Sequence, residues 1–252
     1  RINMIKKRYH FETIDSTNTK AKELAAAGAV QGTLVTADAQ QAGIGRRGRS
    51  WSSEKKAGIY MSMLLRPEIA TDKASMLTLV AALAVERAIA ETLDCQPMIK
   101  WPNDIVLNKK KICGILTEMV LKRTEIDYVV IGIGINVNNK NFPEEIVQTA
   151  SSLSLELGNE IDREMLISEV WKRFSVYYEN FLQVGDLSGI KAEYEHALIN
   201  KDEKVKVLDP LGEYMGIAKG ITNIGELIVD TEEEIRYVSG GEVSVRGIYG
   251  YV

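Results

Sequence analysis

The 252-residue chain is poor in the residues that bind metals or form disulfides. It has only two cysteines, Cys95 and Cys113, and two histidines, His10 and His196. These side chains provide almost no material for a zinc site of Cys and His ligands, and there is no CxxC pair. They do not suggest a disulfide framework either. We therefore expect both thiols to be reduced and buried, as is usual in a cytoplasmic enzyme.

Long apolar runs are also missing. The best candidate for a bilayer span, residues 76–89, is interrupted by Glu86 and Arg87, and the first residues lack the apolar core of a signal peptide. A formal net charge of −4 disfavours a general nucleic-acid binder, whose domain is ordinarily basic. With 45% hydrophobic and 26% charged residues, the composition is typical of a globular protein with a sizeable core.

The sequence does contain a cationic, glycine-rich stretch at residues 40–51, QQAGIGRRGRSW. Its three glycines allow the backbone to turn sharply and to bring N–H groups close to a ligand. Arg46, Arg47 and Arg49 add three positive charges, and no acidic residue lies among them. This pattern predicts a site for a phosphate or an acyl phosphate. Taken alone, it is equally compatible with a solvated basic hairpin or a nucleic-acid contact.

Two familiar nucleotide motifs match these residues, but their context does not. The spacing of Gly43, Gly45 and Gly48 fits the dinucleotide fingerprint and imitates a Walker A loop, and both motifs require a helix to follow. Here polar residues 50–56 lead into a second predicted strand, residues 58–65. A kinase glycine loop does lie between strands, but nothing downstream resembles HRD or DFG. The pattern indicates a strand–loop–strand anion site outside these classes.

Hydrophobic periodicity predicts a mixture of strands and helices. The predicted strands lie at residues 8–14, 33–39, 58–65, 98–100, 104–107, 112–121 and 128–137. The predicted helices lie at residues 19–27, 72–93, 162–182 and 187–200. From residue 204 onward, short strands alternate with turns, which is typical of a small β-barrel or sandwich of about 50 residues. We therefore expect one domain over residues 1–200 and a second over residues 201–252.

Several polar stretches stand at predicted element ends. Residues 16–18, STN, precede a predicted helix and indicate an N-cap. Residues 101–104, WPND, indicate a tight turn. Lys111 enters a strand beside Gly114, and the two glycines of residues 132–136, GIGIN, suggest a backbone that another group approaches closely. Each stretch has a structural explanation, so none identifies a function alone.

Taken together, five stretches in this order and spacing resemble the biotin protein ligase family, whose members join biotin to a lysine of biotin carboxyl carrier domains. They are residues 16–18, 40–51, 100–104 (KWPND), 111–114 (KICG) and 132–136. The likeness covers essentially the whole chain, and the arginine-rich loop combined with KWPND is highly specific. The resemblance implies an α+β fold, with a central mixed sheet flanked by helices and a small C-terminal SH3-like β-barrel.

The resemblance also implies two successive acyl-transfer steps. In the first, the biotin carboxylate attacks the α-phosphate of ATP, which gives biotinyl-5′-AMP and pyrophosphate, with Mg²⁺ accompanying the nucleotide. In the second, a lysine of the biotin carboxyl carrier protein attacks the mixed anhydride. The implied partners are this carrier protein, biotin and ATP, without a membrane or nucleic acid. A homodimer is left open, and the expected location is cytoplasmic.

The resemblance assigns roles to particular residues. Biotin contacts are expected at Ser16, Thr17, Asn18, Gln40, Gly43, Ile44, Gly45, Arg46, Lys111 and Gly114. Contacts with ATP or the adenylate are expected at Arg46, Arg49, Trp51, Asn103, Lys111 and Asn136. The expected catalytic residues are Lys111, Arg46, Arg49 and Asp104.

Three of these assignments have alternatives. Asp104 is expected to accept a proton from the acceptor amine or to hold that amine, although its spacing also fits a role in bracing the turn with Asn103. Core packing is the alternative for Trp51. Ile44 replaces an arginine that is common in the family, and a main-chain contact at this position would survive the change.

Two other functions compete with this interpretation. A lipoate or octanoate ligase shares the architecture, but KWPND and the arginine-rich loop favour biotin. A DNA-binding, biotin-responsive regulator would use the basic loop and the β-barrel. Some family members carry an N-terminal helix-turn-helix domain, and only about 15 residues precede Ser16 here. We therefore expect the short form, without a DNA-binding domain.

Overall fold

The computed structural model describes residues 3–43, 54–240, 244–248 and 250–252. The first seven strands are β1 (Lys7–Ile14), β2 (Thr33–Gln40), β3 (Ile59–Leu65), β4 (Met98–Lys100), β5 (Asp104–Leu107), β6 (Lys110–Lys122) and β7 (Glu125–Ile135). They form one mixed sheet in the order β1-β2-β3-β7-β6-β5-β4. Strands β1 and β2 are parallel, and all other neighbours are antiparallel. The predicted central mixed sheet is confirmed.

Helices cover both faces of this sheet. Within the described residues they are α1 (Thr17–Ala26), α2 (Met76–Leu93), α3 (Leu153–Leu157), α4 (Arg163–Val184) and α5 (Lys191–Ala197). Side chains alternate between the faces of a strand, so Met63 of β3 joins the large core beneath α2 and α4, whereas Leu64 joins a smaller core beneath α1. No helix in the described part of the chain is long and apolar enough to cross a membrane.

Local capping explains where the helices begin and end. The Asp162 side chain accepts a hydrogen bond from the Met165 amide (3.2 Å), so the predicted start of α4 is confirmed. Helix α2 begins later than predicted, because the 3-10 turn Thr71–Lys73 precedes it. Helix α3 was not predicted. Its five residues are too few to show a periodic apolar pattern.

The two cysteines are both free thiols. Cys113 lies in β6 and is buried, as expected, whereas Cys95 is only partly buried. The expectation of two buried thiols is wrong for Cys95 because this residue follows the left-handed Asp94 at the end of α2, where the chain turns toward β4 at the surface.

The last part of the chain forms a second sheet. Its strands are β8 (Lys204–Leu208), β9 (Tyr214–Ile221), β10 (Leu227–Asp230), β11 (Ile235–Val238) and β12 (Ser244–Gly247), antiparallel in the order β11-β10-β9-β8-β12. The predicted SH3-like β domain is confirmed. Buried residues of this sheet, such as Val207 and Val229, belong to the same apolar cluster as α2 and α4. The domain boundary at residues 200 and 201 stays a prediction.

Trp101 connects the two sheets. Its indole Nε1 donates a hydrogen bond to the carbonyl oxygen of Gly225 in the turn between β9 and β10 (2.9 Å). Its main-chain N–H donates to Oδ1 of Asn200 (3.1 Å), which lies just before β8. Trp101 and Gly225 are both buried. The turn between β4 and β5 is therefore held against the C-terminal sheet.

We expect Trp101→Phe to loosen the C-terminal sheet, because it leaves the buried carbonyl of Gly225 without this donor, a loss typically of about 1–3 kcal/mol. Trp171→Phe is the matched control. Trp171 is equally buried, but its Nε1 faces only the weakly accepting sulfur of Met61 (3.2 Å). Amide hydrogen exchange should accelerate in β8 to β10 for Trp101→Phe and not for Trp171→Phe. Equal exchange in both variants would argue against the connection.

Candidate functional site

A cavity of about 570 Å³ lies between the central sheet and the C-terminal sheet, within the size range of small-molecule sites. Its walls come from the start of α1, from β6 and β7, from the turn before β5 and from the last strand with residues 250–251. Nine predicted site residues line it: Ser16, Thr17, Asn18, Gln40, Asn103, Asp104, Lys111, Gly114 and Asn136. Residues from all five of the stretches that carry the resemblance thus meet at one cavity.

The rest of the predicted set lies at or beyond the edge of the described structure. Ile44, Gly45, Arg46, Arg49 and Trp51 are outside the described residues, so their roles stay predictions. Gly43 is buried at the end of the described segment 3–43 and is not among the described residues that line the cavity. Its predicted contact with biotin also stays a prediction.

Uncharged polar groups gather at the start of α1. Ser16 Oγ accepts a hydrogen bond from the amide of Thr19 (3.4 Å), so the predicted N-cap is confirmed and α1 begins at Thr17, earlier than expected. Thr17 donates through its main-chain N–H and its hydroxyl to Oε1 of Gln40 (2.8 and 3.1 Å). These bonds tie the helix to the end of β2, where the predicted anion loop begins.

Both the oxygen and the nitrogen of the Asn18 side-chain amide are hydrogen-bonded. Its Oδ1 lies 2.5 Å from the hydroxyl oxygen of Ser62, and its Nδ2 donates to Oε1 of Glu118 (3.0 Å). Ser62 is fully buried and also lies 2.8 Å from Oγ1 of Thr17. The cluster therefore presents hydroxyl and amide groups to the cavity in fixed positions.

Gly132 of β7 makes room for this arrangement. A Cβ added at Gly132 would lie 2.8 Å from Cγ and 2.9 Å from Nδ2 of Asn18, closer than real Cβ contacts allow. The close approach predicted for the glycines of this strand is therefore made by the side chain of Asn18. Gly134 is paired directly with Gly114 across β6 and β7, and all three glycines line the cavity. Main-chain atoms therefore form much of this wall of the cavity, which we call the glycine floor.

We expect Gly132→Ala to destabilise the fold by about 1–3 kcal/mol, because the new methyl group displaces Asn18 from Ser62. Asn18→Ala should destabilise it separately by removing hydrogen bonds. In the double variant the methyl group has nothing to displace, so the total loss should be smaller than the sum of the two single losses. Urea unfolding of the four proteins gives this coupling. Additive losses would contradict the proposed contact.

Charged groups gather around Asp104 on β5. Its Oδ1 lies 3.1 Å from Nζ of Lys111, and its Oδ2 accepts a hydrogen bond from the hydroxyl of Tyr251. Nζ of Lys100 lies 3.8 Å from the centre of the Tyr251 ring, a cation–π contact. Asp104 is paired across the strands with Gly114, where no side chain fills the space. Two lysines and one aspartate therefore share this part of the cavity.

The electrostatic surroundings keep Asp104 ionised. Burial by itself would raise the pKa of this carboxyl, but the charges of Lys111 and Lys100 and the hydrogen bonds from Tyr251 and Lys111 together hold the pKa below its ordinary value. A carboxylate of this kind is a weak base at neutral pH. It is better suited to holding a neighbouring donor, such as an amine, than to removing a proton from it.

Two asparagines of the predicted set have structural partners at the cavity wall. Asn103 Nδ2 donates to the carbonyl oxygen of Ile115 (2.7 Å), so this residue braces the turn against β6. Asp104 instead faces Lys111 and Tyr251. Asn136 Nδ2 donates to the carbonyl oxygen of Ser151 (3.1 Å). Both asparagines still line the cavity, so their predicted contacts with the nucleotide remain open to test.

The lowered pKa of Asp104 predicts how its contribution to stability depends on pH. Because the folded-state pKa lies below the unfolded value near 3.9, the stabilisation is complete above that value and is lost as the pH falls through the folded pKa. Urea unfolding should show Asp104→Asn to be less stable than the wild type by a constant amount from about pH 7 to about pH 5. This difference should shrink below about pH 4. A difference unchanged at about pH 3 would contradict the assignment.

Sequence reasoning missed three polar residues of this site. Ser62 did have a sequence signal, since it is the one serine in the otherwise apolar and aromatic run of β3. Lys100 belongs to the KWPND motif but was given no role. Tyr251 had no signal, because its contact with Asp104 joins residues 147 positions apart.

Comparisons with known proteins identify the family. A model of the Biotin/lipoate A/B protein ligase family matches residues 10–136, and a model of the Biotin protein ligase C terminal domain matches residues 202–246. The Bifunctional ligase/repressor BirA of Bacillus subtilis is 39% identical over 239 residues, which cover 94% of this chain and 73% of that protein. The chain belongs to the biotin protein ligase family.

Two further relatives support membership of this family. The biotin–[acetyl-CoA-carboxylase] ligase of Mycobacterium tuberculosis is 32% identical, over 90% of this chain and 85% of that protein. The biotin protein ligase of Aquifex aeolicus, solved in complex with biotin and ATP, has a TM-score of 0.85 and 33% identity. The match covers 96% of this chain and all of the Aquifex chain. The predicted family, fold class and enzyme class are thereby confirmed.

Proposed function

We propose that this ligase activates biotin with ATP to form biotinyl-5′-AMP and pyrophosphate, and then transfers biotin to a specific lysine of a biotin carboxyl carrier protein. The observation that carries the proposal is the cavity itself. Uncharged hydroxyl and amide groups lie on one side of its glycine floor, and Lys111 and Asp104 lie on the other. Biotin has matching parts: a neutral ureido ring, an apolar bicycle and a carboxylate.

The uncharged cluster suits the ureido ring. Ser16, Thr17, Asn18 and Gln40 provide hydroxyl and amide groups that can donate to the ring carbonyl and accept from the ring N–H groups. The cluster is already held by internal hydrogen bonds among Thr17, Gln40 and Ser62, so little order has to be created when the ring binds. The glycine floor leaves space for the bicycle beside it.

Lys111 suits the activation step. The biotin carboxylate and the α-phosphate of ATP repel each other, and negative charge grows on the phosphate as they react. A positive side chain at the cavity wall stabilises that charge without having to gain or lose a proton. We assign Arg46 and Arg49 to the phosphates by the same reasoning, and Trp51, Asn103 and Asn136 to contacts with the nucleotide.

Asp104 suits the transfer step. The acceptor lysine attacks only as a neutral amine, and the nearby ammonium groups of Lys100 and Lys111 disfavour a third positive charge. The ionised Asp104 can accept a hydrogen bond from the neutral amine and direct its lone pair toward the anhydride. As the amine nitrogen bonds to the acyl carbon, the bond from that carbon to the phosphate oxygen breaks, AMP leaves, and the proton lost by the nitrogen passes to water. Asp104 keeps its charge throughout, which agrees with its lowered pKa.

Mg²⁺ belongs to the proposal as a companion of ATP. Among the described residues, no group of three or more His, Cys, Asp or Glu side chains could hold a metal ion. We assign Mg²⁺ to the phosphates of ATP, because Mg²⁺ commonly binds substrate phosphates and water with few protein ligands. A cytoplasmic location and a possible homodimer stay predictions.

The direct test is biotin-dependent exchange of labelled pyrophosphate into ATP, followed by transfer of labelled biotin to a carrier domain. Lipoate and octanoate serve as competing substrates, and the proposal requires exchange with biotin and not with either acid. Exchange with octanoate or lipoate alone would make this chain a different acyl ligase of the same architecture.

We expect Lys111→Gln to lower the rate of biotin-dependent exchange by roughly 100-fold or more, since it removes a charge aimed at the reacting phosphate. Lys110→Gln is the matched control, because Lys110 is adjacent in β6 and does not line the cavity. Asp104→Asn should mainly slow the transfer of preformed biotinyl-AMP to the carrier. If Lys110→Gln lost exchange to the same degree as Lys111→Gln, the assignment of Lys111 would fail.

A further inference from the structure

Tyr251 contacts Asp104 and Lys100, two of the three charged residues on this side of the cavity, and has no part in the function proposed above. Its hydroxyl donates to Oδ2 of Asp104, and its ring lies beneath the ammonium group of Lys100, 3.8 Å from Nζ to the ring centre. Tyr251 also lines the cavity. One side chain from the end of the C-terminal sheet thus contacts both charged residues of the KWPND motif.

The backbone around Tyr251 is fitted closely to β12. Gly247, the last residue of that strand, forms a β-bridge with Gly250. A Cβ added at Gly247 would overlap the carbonyl group of Val252 and lie 3.3 Å from its Cα. The absence of a side chain at Gly247 therefore allows residues 250–252 to fold back over the strand. This packing places Tyr251 in the cavity.

We propose that Tyr251 is a positioning residue for the transfer of biotin to the acceptor lysine. By binding Oδ2 of Asp104 it fixes the rotation of the carboxylate, so that Oδ1 faces Lys111 and the place where the acceptor amine must arrive. Its ring fixes the ammonium group of Lys100 beside the same carboxylate. The inference rests on the proposed role of Asp104 in the transfer step.

The chemistry of a phenol suits this role. Tyr251 donates one hydrogen bond and brings no charge, so it leaves the balance of two lysines and one aspartate unchanged. A cation at the same place would add to the repulsion of an incoming amine, and an anion would compete with Asp104 for the lysines. Holding the reacting groups in the correct orientation contributes a large part of the rate enhancement when two bound molecules react.

The test uses Tyr251→Phe, which removes the hydroxyl and keeps the ring over Lys100. We expect kcat for transfer of biotin from preformed biotinyl-AMP to the carrier domain to fall about tenfold, as for loss of a hydrogen bond to a charged group. KM for the carrier should be unchanged, and biotin-dependent pyrophosphate exchange should stay within about twofold of the wild type. Tyr237→Phe, at an exposed tyrosine of β11, is the matched control and should change neither step.

A double-mutant cycle tests whether Tyr251 acts through Asp104. In the Asp104→Asn background, Tyr251→Phe should cause less than about a twofold further loss of transfer, because the group to be positioned has been removed. Multiplied effects of the two substitutions would overturn the proposal. We expect Tyr251→Phe to lower the thermal unfolding midpoint modestly, because Oδ2 of the buried Asp104 loses this donor, and to slow transfer far more than exchange. A lowered midpoint with equal loss of both steps would assign Tyr251 a structural role only.

The remaining outcomes are equally decisive. Unchanged transfer in Tyr251→Phe would overturn the proposal, and faster transfer would show that Tyr251 obstructs the acceptor instead of positioning Asp104. If the wild type itself lacked biotin-dependent exchange or transfer, the proposed function would fail. That result is distinct from normal wild-type activity with an unaffected Tyr251→Phe variant, which would refute only the role of Tyr251.

Discussion

The ion pair between Asp104 and Lys111 is the interaction around which the charged part of the cavity is organised. The two residues lie on β5 and β6, which are adjacent and antiparallel, and their atoms Oδ1 and Nζ are 3.1 Å apart. Burying a carboxylate is unfavourable unless partners compensate the lost hydration. Here Lys111, Lys100 and Tyr251 provide that compensation, and they come from β6, from the end of β4 and from the residues that follow β12. The lowered pKa of this buried carboxylate therefore depends on groups from three parts of the fold.

The second sheet is accordingly part of the site. Trp101 donates to the carbonyl of Gly225 in this sheet, and Tyr251 reaches Asp104 from its other end. The KWPND turn is thus held by the C-terminal domain at both its tryptophan and its aspartate. Buried residues of the two sheets also form one apolar cluster, which makes their relative placement a matter of packing as well as of hydrogen bonds. A change in the C-terminal sheet can therefore alter the geometry of a residue on β5.

Much of this arrangement was predictable from the sequence because it depends on local patterns. The residue types at positions 16–18 indicate a helix cap, the apolar period places a helix over residues 162–182, and the glycines of β7 indicate a close approach. The family resemblance brought Asp104 and Lys111 into one site before their distance was known. Local patterns do not show which side chain comes close to a given glycine or to Asp104. That Asn18 fills the space over Gly132, and that Tyr251 meets Asp104, depends on tertiary packing between residues more than 100 positions apart.

The two sides of the cavity differ in charge, and this difference matches the two demands of the proposed reaction: binding biotin selectively and stabilising charge as it reacts. The side that holds Thr17, Asn18 and Gln40 presents uncharged groups to the cavity, and hydrogen bonds to one another, to Ser62 and to Glu118 hold them in place. It can therefore select a ligand by shape and by donor and acceptor pattern. On the other side, Lys100, Asp104 and Lys111 together carry one net positive charge, which favours anions and disfavours a protonated amine. Such an electrostatic setting stabilises the carboxylate and the phosphate in the first step. In the transfer step as proposed above, the same setting favours the neutral, nucleophilic form of the incoming amine over its protonated form. One fixed set of charges can therefore serve both steps without a residue that changes its protonation state.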